Sequence, residues 1–331
     1  MNKLYYLAPF LAGASYEWFQ RRKLETYFQK KTILISGGST GLGFALAKRL
    51  LSYGANVSIC GRDETKLSDL KNRLVLYSNQ LHIFQCDVAS RDKVKNWIDA
   101  AVARFGRIDM LVNNAGILTV GPVESQGESL YRENLDIMLW GHLNTCHEVL
   151  GHLKIGKGQI VNIISVGGKI SIPHMSSYSV AKSAAAAFSE GLGIELAKYG
   201  ISVTTIFPWL LRTGSYVNGF FPKGDVKEFQ AFSLGSALPM LALNVDAAVS
   251  EILIAVRKKK VEAYIGVMAR VVTLARELLP GLSRRVLVEA SRYLLSPPST
   301  KDFVRGESME FSEYQLSHFF GVRERREYQH D

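Results

Sequence analysis

With 331 residues, 47% of them apolar and 21% charged, the chain has the balance of a folded globular protein, which excludes general disorder and a polytopic membrane protein. Its length suits one large α/β core with extensions. The formal charge of +10 favours an acidic partner, whether a phosphate-bearing cofactor, an anionic lipid surface or nucleic acid; no zinc-ligand spacing or aromatic RNA-binding signature accompanies the basic residues, so neither a metal site nor nucleic-acid binding is expected.

Leu4 to Ala14 is apolar but is broken by Pro9 and followed by Glu17 and Arg21-Arg22, too short for the ~20 residues of a spanning helix. A signal peptide has only a weak cleavage site, Leu-Ala-Gly-Ala-Ser before Tyr16, so residues 1–28 read mainly in two ways. One is an interfacial anchor, with Tyr5, Tyr6, Phe10, Trp18 and Phe19 at headgroup level and Lys3, Arg21, Arg22 and Lys23 facing anionic lipid. The other is a helix docked on the protein's own surface. From Thr32 onward, short β-branched runs alternate with segments of helical period, the signature of a parallel sheet with helices on both faces. Strands are predicted at Thr32–Ser36, Asn56–Cys60, Leu81–Gln85, Met110–Asn113, Gln159–Ser165, Ser202–Phe207 and Ala263–Gly266. Helices are predicted between them at Gly43–Tyr53, Glu64–Leu76, Asp92–Phe105, Leu135–Leu153 and Ser177–Tyr199. Cys60, Cys86 and Cys146 have no close pairing in sequence and predict free thiols in a reducing, cytoplasmic compartment. Val267 to Leu295, with arginines among leucines and valines, predicts an amphipathic helix pair divided at Pro280-Gly281; Pro297-Pro298 then opens a polar, loosely ordered tail.

Three places carry chemistry. Ser36-Gly37-Gly38-Ser39-Thr40-Gly41-Leu42-Gly43 falls between a predicted strand and a predicted helix, where backbone N–H groups and the helix dipole favour a pyrophosphate. This predicts an α/β, Rossmann-like doubly wound parallel seven-stranded sheet with N- and C-terminal helical extensions. The next strand ends in Gly61-Arg62; an arginine there pairs with a 2′-phosphate, which argues for NADP(H), while Asp63 beside it leaves NAD(H) open. Lastly, Tyr178 and Lys182 share a helix face one turn apart, and Ser165 ends a strand thirteen residues before the tyrosine. A phenol near pKa ~10 is a poor acid or base at neutral pH, but an adjacent ammonium stabilises the phenolate, so Lys182 is expected to lower it.

Taken together, these motifs resemble the short-chain dehydrogenase/reductase family over roughly Lys30 to Gly266. Gly37, Ser39, Thr40, Gly41, Leu42 and Gly43 resemble its cofactor turn; Asp87-Val88 its adenine-contacting pair; Asn113-Asn114-Ala115-Gly116 its strand end; Tyr178-Ser-Val-Ala-Lys182 its Tyr-x-x-x-Lys; Pro208 and Thr213 its nicotinamide-contacting stretch. The resemblance implies that Tyr178 exchanges a proton, Lys182 also binds the nicotinamide ribose and Ser165 steadies the substrate oxygen. It further implies a homodimer through the tyrosine-bearing helix and its neighbour, and a substrate-covering lid at 209–240. The chain is thus divided as 1–28, an N-terminal extension; 29–266, the catalytic domain with its lid; and 267–331, a basic C-terminal extension.

Two departures stand out. Met138 occupies the place where the family usually has a water-holding asparagine, with Asn134 one turn earlier as a substitute, and Trp209 replaces the glycine after the proline. The lid carries Trp209, Leu210, Leu211, Tyr216, Phe220, Phe221, Phe229 and Phe232, which suits an apolar, lipid-like carbonyl substrate; these residues are equally able to pack the lid on the core. An apolar substrate and basic amphipathic ends together suggest an enzyme peripheral to an anionic membrane. The competing reading is a catalytically weak NADP(H)-binding sensor or scaffold, kept open by Met138.

Overall fold

The structure, a computed structural model, describes residues 18–294, 300–309 and 327–329. The apolar β-branched runs form strands β1 (Thr32–Ser36), β2 (Asn56–Gly61), β3 (Leu81–Gln85), β4 (Met110–Asn113), β5 (Gln159–Ile163) and β6 (Ser202–Pro208), followed by a short β7 (Phe220–Pro222) outside the main sheet and then β8 (Glu262–Ile265). The main sheet has seven strands in the order β3-β2-β1-β4-β5-β6-β8, every neighbouring pair parallel, as the alternation predicts. The order reverses between β1 and β4, the point at which such sheets open a crevice at their carboxyl edge. Register brings that edge level: Ser36 faces Cys60 on one side and Asn113 on the other.

Between the strands run α2 (Gly41–Ser52), α3 (Glu64–Arg73), α4 (Arg91–Phe105), α5 (Glu128–Leu135), α6 (Gly141–Gly156) and α7 (Ser176–Leu196), and after them α8 (Val226–Ala237) and α9 (Val245–Arg257). Because side chains alternate along a strand, β1 serves two cores. Ile33 and Ile35 pack with Phe44 and Leu50 of α2 and Val249 and Ile252 of α9, while Leu34 packs with Trp97 and Ile98 of α4 and Val149 of α6. Burial of a side chain such as Leu34 contributes about 1.5–3 kcal/mol, and its loss to alanine costs about 2–5 kcal/mol. The Trp97 indole N–H donates to Ser58 Oγ at 2.9 Å, so its one polar atom is satisfied inside the core. Cys60, Cys86 and Cys146 are buried free thiols.

A helix over 18–28, α1, docks on the body through buried Leu24 and Phe28, and Tyr27 donates to Gln159 Oε1 at 2.5 Å. Trp18 and Phe19 remain exposed with Arg22 and Lys23 over their rings. Residues 1–17, which hold most of the expected anchor, lie outside the described residues. At the other end, α10 (Val267–Leu278) and α11 (Pro280–Leu294) form the expected pair, with proline at the first position of α11, where its missing N–H is tolerated. Pro297-Pro298 and 310–326 lie outside the described residues. The expectation of a loose tail needs correcting where the chain is described: Phe303–Arg305 forms β9, antiparallel to β7, because a three-residue edge in the lid offers unpaired backbone groups to a returning strand.

Candidate active site and cofactor crevice

The glycine turn is shaped by close approach. Gly37 has φ +64°, and a Cβ there would lie 2.6 Å from Ala115 Cα; a Cβ on Gly43 would lie 2.4 Å from Gly37 O. The turn is stitched to the end of β4: Asn114 Nδ2 donates to Gly37 O at 2.7 Å, and Ser36 Oγ accepts from the amides of Asn114 and Ala115. Asn113 faces the opposite way, accepting from Thr145 Oγ1 and donating to Asn162 Oδ1. The start of α2 carries no acidic residue, so its open N–H groups and dipole remain available to an anion. Such a bare backbone cradle, which side chains at Gly37 and Gly43 would fill, fits a dinucleotide pyrophosphate.

At the adenosine end, Arg62 is exposed and, among the described residues, has no carboxylate paired with it. Asp63, which left the cofactor choice open, accepts from Lys66 N at 3.1 Å and caps α3. The carboxylate is therefore occupied by the helix it begins. Asp87 Oδ1 accepts from Ala89 N at 3.1 Å, and Val88 is buried beside it.

Tyr178 and Lys182 meet on α7, with Lys182 Nζ 5.9 Å from the centre of the phenol ring. Nζ donates to Ile163 O at 2.9 Å, which ties α7 to the end of β5. Ser165 follows that strand, and its Oγ accepts from Gly167 N at 3.1 Å. Burial pushes Lys182 down to about 7. The same desolvation raises the Tyr178 phenol, opposed by Ser165. This corrects the expectation that Lys182 lowers the phenol: in the protein by itself burial sets the direction, and it disfavours the charged forms of both groups.

Between α5 and α6 the helix widens into a single π turn at Asp136–Trp140, a form of insertion frequent at functional sites. It buries Met138, whose Sδ lies 3.3 Å from where a Gly116 Cβ would stand; that same position is 3.6 Å from Lys182 Nζ. Asn134 is buried one turn earlier, with Nδ2 donating to Thr119 Oγ1 and Leu130 O and Oδ1 without a partner among the described residues. His142, one turn after Met138, is buried with neither ring nitrogen bonded among the described residues, and desolvation together with the Lys182 charge brings it down to about 3.

The glycine turn, Arg62 and the Ser165–Tyr178–Lys182 group open on one cavity of about 740 Å³; Met138, Asn134 and His142 lie behind its wall. Of the residues singled out from sequence, Gly37, Ser39, Thr40, Gly41 and Leu42 form its floor, and Arg62, Asp87 and Val88 one end. Asn114, Ala115 and Gly116 form a side, and Ser165, Tyr178, Lys182, Pro208 and Thr213 the other end. Gly43 does not reach the cavity; it lies behind the turn, where its lack of a side chain lets Gly37 O close in. The lid divides its aromatics. Tyr216 and Phe221 are buried edge-on against Phe229, whereas Trp209, Leu210, Leu211, Phe220 and Phe232 face the cavity. The Trp209 indole is fixed by donation to Leu241 O at 2.7 Å. Sequence reasoning missed Lys66, Asn218, Arg305 and Gln329, which also line the cavity. These lie outside any motif and reach the site only through tertiary folding.

Among known proteins, the sequence pattern of one family, described as short chain dehydrogenase, matches residues 31–218. Dehydrogenase/reductase SDR family member 7B of Mus musculus is 31% identical over 280 residues, covering 82% of this chain and 85% of the mouse protein. A fatty acyl-CoA reductase of Acinetobacter baylyi is 31% identical over 199 residues, 58% of this chain and 68% of that protein. A short chain dehydrogenase from Burkholderia cenocepacia, solved in complex with NADP, superposes with a TM-score of 0.63 at 25% identity, covering 82% of this chain and 99% of that one. The family pattern spans more than half of the chain, and the cavity holds the groups the family's chemistry requires. This chain therefore belongs to the short chain dehydrogenase family and is an oxidoreductase acting on CH–OH and C=O groups.

Proposed function

We propose that the protein is an NADP(H)-dependent oxidoreductase that interconverts a carbonyl and a hydroxyl on an apolar, lipid-like substrate, with Tyr178 as general acid and base. The observation that carries this reading is the single cavity with Ser165, Tyr178 and Lys182 at one end and Arg62 at the other, Asp63 being withdrawn into its helix cap. Arg62 would hold the 2′-phosphate, the α2 start the pyrophosphate and Lys182 the nicotinamide ribose. Once bound, the nicotinamide supplies or accepts hydride. Ser165 Oγ steadies the substrate oxygen, and Tyr178 gives that oxygen its phenolic proton in reduction and takes it back in oxidation. Lys182, whose charge burial disfavours in the protein by itself, would stabilise the phenolate when charged. The Mus musculus and Acinetobacter relatives, by name a dehydrogenase/reductase and a fatty acyl-CoA reductase, are in keeping with a carbonyl on an apolar chain.

The cavity-facing aromatics of the lid favour the apolar substrate, and so does the α10–α11 hairpin. On α10 and α11, Val267, Val271, Leu274, Leu278, Leu282 and Val286 are each more than half exposed, and Arg276, Arg284 and Arg285 lie among them. A groove under the hairpin shares Pro173 with the main cavity. We take this face to rest on an anionic membrane, making the enzyme cytoplasmic and peripheral; among the described residues no helix is long and apolar enough to cross one. A homodimer through α6 and α7 would cover exposed Val180 and Ile194. One observation favours the second reading, a slow or silent cofactor-binding sensor: buried Met138 packs near Gly116, as Lys182 does, and its thioether cannot anchor a proton-relay water as an amide would.

The test is to mix the protein with NADPH or NADH and a panel of apolar and small polar ketones, with Tyr178→Phe in parallel. Consumption of NADPH by the wild type on apolar ketones, lost in the variant, supports the enzyme. Cofactor binding in both proteins with consumption in neither supports the sensor. A preference for NADH removes the role of Arg62. Co-sedimentation with phosphatidylserine vesicles that survives Leu274→Glu with Leu278→Glu removes the role of the hairpin.

A further inference from the structure

The segment Glu327–Gln329 lies far beyond the part of the chain that matches the family, yet it is seated on the cofactor crevice. Tyr328 and Gln329 are only 3% and 5% exposed. The Tyr328 ring packs on Phe44 of α2 at 6.4 Å between centroids, and its hydroxyl donates to Asp246 Oδ2 at 3.3 Å, at the start of α9. Glu327 meets Lys48 Nζ at 3.1 Å, and its backbone carbonyl accepts from Arg73. A tripeptide held by a buried ring, an ion pair and a backbone bond has a defined position.

That position puts the Gln329 amide into a hydrogen-bonded chain across the crevice. Lys66 Nζ donates to Asn218 Oδ1 at 2.5 Å, Asn218 Nδ2 donates to Gln329 Oε1 at 2.6 Å, and Gln329 Nε2 donates to Thr213 O at 2.7 Å. All four residues are walls of the same cavity. The chain starts on α3, one turn from Arg62, and ends at Thr213, so it crosses from the adenosine end to the nicotinamide end. A primary amide nitrogen carries two hydrogens, of which Thr213 takes one. Gln329 Nε2 also stands 3.5 Å from where a Cβ of Gly41 would be, at the opening of the anion-binding turn. A pyrophosphate offers only acceptors, and the second amide hydrogen lies beside the place made for one.

We propose that Gln329 is a cofactor-binding residue and that the chain Lys66–Asn218–Gln329–Thr213 is a clasp closed over the pyrophosphate. This rests on the nicotinamide dinucleotide reading above. The clasp forms the part of the cavity wall that faces the glycine turn, so a dinucleotide seated under it enters or leaves only when the Asn218–Gln329–Thr213 links part. The C-terminal segment then sets how long the cofactor stays, and slow cofactor exchange is built into the fold.

The experiment follows NADPH fluorescence by stopped flow in the full chain, in Gln329→Ala, and in a chain ending at Arg326. The expected result is a cofactor off-rate raised roughly tenfold by Gln329→Ala, the loss of one hydrogen bond to a charged acceptor, and raised further by the truncation. Affinity for 2′-AMP, which lacks the pyrophosphate, stays within twofold. Off-rates within twofold of wild type in both variants overturn the clasp. A parallel loss of 2′-AMP affinity in Gln329→Ala also overturns it, since the residue would then act on the whole crevice rather than on the pyrophosphate. If the truncated chain melts early, the point variant decides. A wild type that binds no NADPH overturns the cofactor reading along with the clasp, whereas tight wild-type binding with unaltered variants overturns the clasp alone.

Discussion

Replacing Gly43 by alanine should harm the protein although alanine is the better helix former. Gly43 lies in the first turn of α2, with no left-handed backbone, so on intrinsic propensity the change would stabilise the helix by about 1 kcal/mol. The added methyl, however, would sit 2.4 Å from Gly37 O, 2.6 Å from Asn114 Nδ2 and 2.9 Å from Gly38 Cα. Ordinary contacts need about 3.5 Å, so the turn must retreat by roughly 1 Å. Two of the three atoms belong to backbone, and the third makes the 2.7 Å bond that joins Asn114 to Gly37. Overpacking of about 1–3 kcal/mol plus about 1 kcal/mol for the strained hydrogen bond outweighs the propensity gain, leaving a net loss of about 1–3 kcal/mol. The same displacement moves the amides that face the pyrophosphate. At about 1.4 kcal/mol per decade, NADPH affinity should fall roughly tenfold to a hundredfold. Fluorescence titration and thermal melting measure the two effects on one sample. A raised Tm with unchanged affinity would show that the turn relaxes freely, and the cradle argument would be wrong.

The remaining expectations concern the ends of the cavity. Tyr178→Phe should lower kcat by about 10²–10⁴ while NADPH affinity holds within twofold; retained turnover in steady-state assays would remove the phenol from the chemistry. Arg62→Ala should weaken NADPH by about tenfold to a hundredfold and leave NADH untouched, and equal losses for both cofactors in titration would refute 2′-phosphate recognition. For Lys182 the sign follows from its burial. The folded group sits at about 7 against an ordinary value of 10.5, so between those limits the unfolded chain binds the extra proton and stability rises with pH. Without cofactor, the Tm of wild type should therefore climb relative to that of Lys182→Met between pH 7 and 10, and a flat difference in a melting series would contradict a desolvated ammonium.

Much of the architecture was legible because it is local. Each strand of the main sheet is a continuous run such as Thr32–Ser36 or Gln159–Ile163, and the turn chemistry between them marks the ends. Residues set by short-range spacing, such as Tyr178 with Lys182, could be placed on one face before any coordinates existed. What escaped was set by distant partners. β7 and β9 have three residues each, too few to show a period, and are strands only because Phe220–Pro222 and Phe303–Arg305 find one another. Lys66, Asn218 and Gln329 are ordinary polar residues until the fold joins them. The direction of the Tyr178 shift also went astray, because spacing reveals a charged neighbour but not how deeply both groups are desolvated. The role of Asp63 as a cap lay within reach, since an aspartate just before a helical run is a start signal.

The pairing of β7 with β9 bears on how the protein could be shortened. A chain cut after β8 would keep every strand of the main sheet and Ser165, Tyr178 and Lys182, yet Phe220–Pro222 would be left with a bare edge of apolar backbone next to solvent. Gly306, whose Cβ would fall 2.2 Å from Tyr216 O, is the snug fit that such a cut would forfeit. Exposed edges of this kind recruit other chains, so the trimmed protein should precipitate or swap strands with itself rather than remain a tidy monomeric core. The smallest well-behaved unit thus extends to Met309, and any hybrid that borrows the lid must borrow its distant companion strand as well.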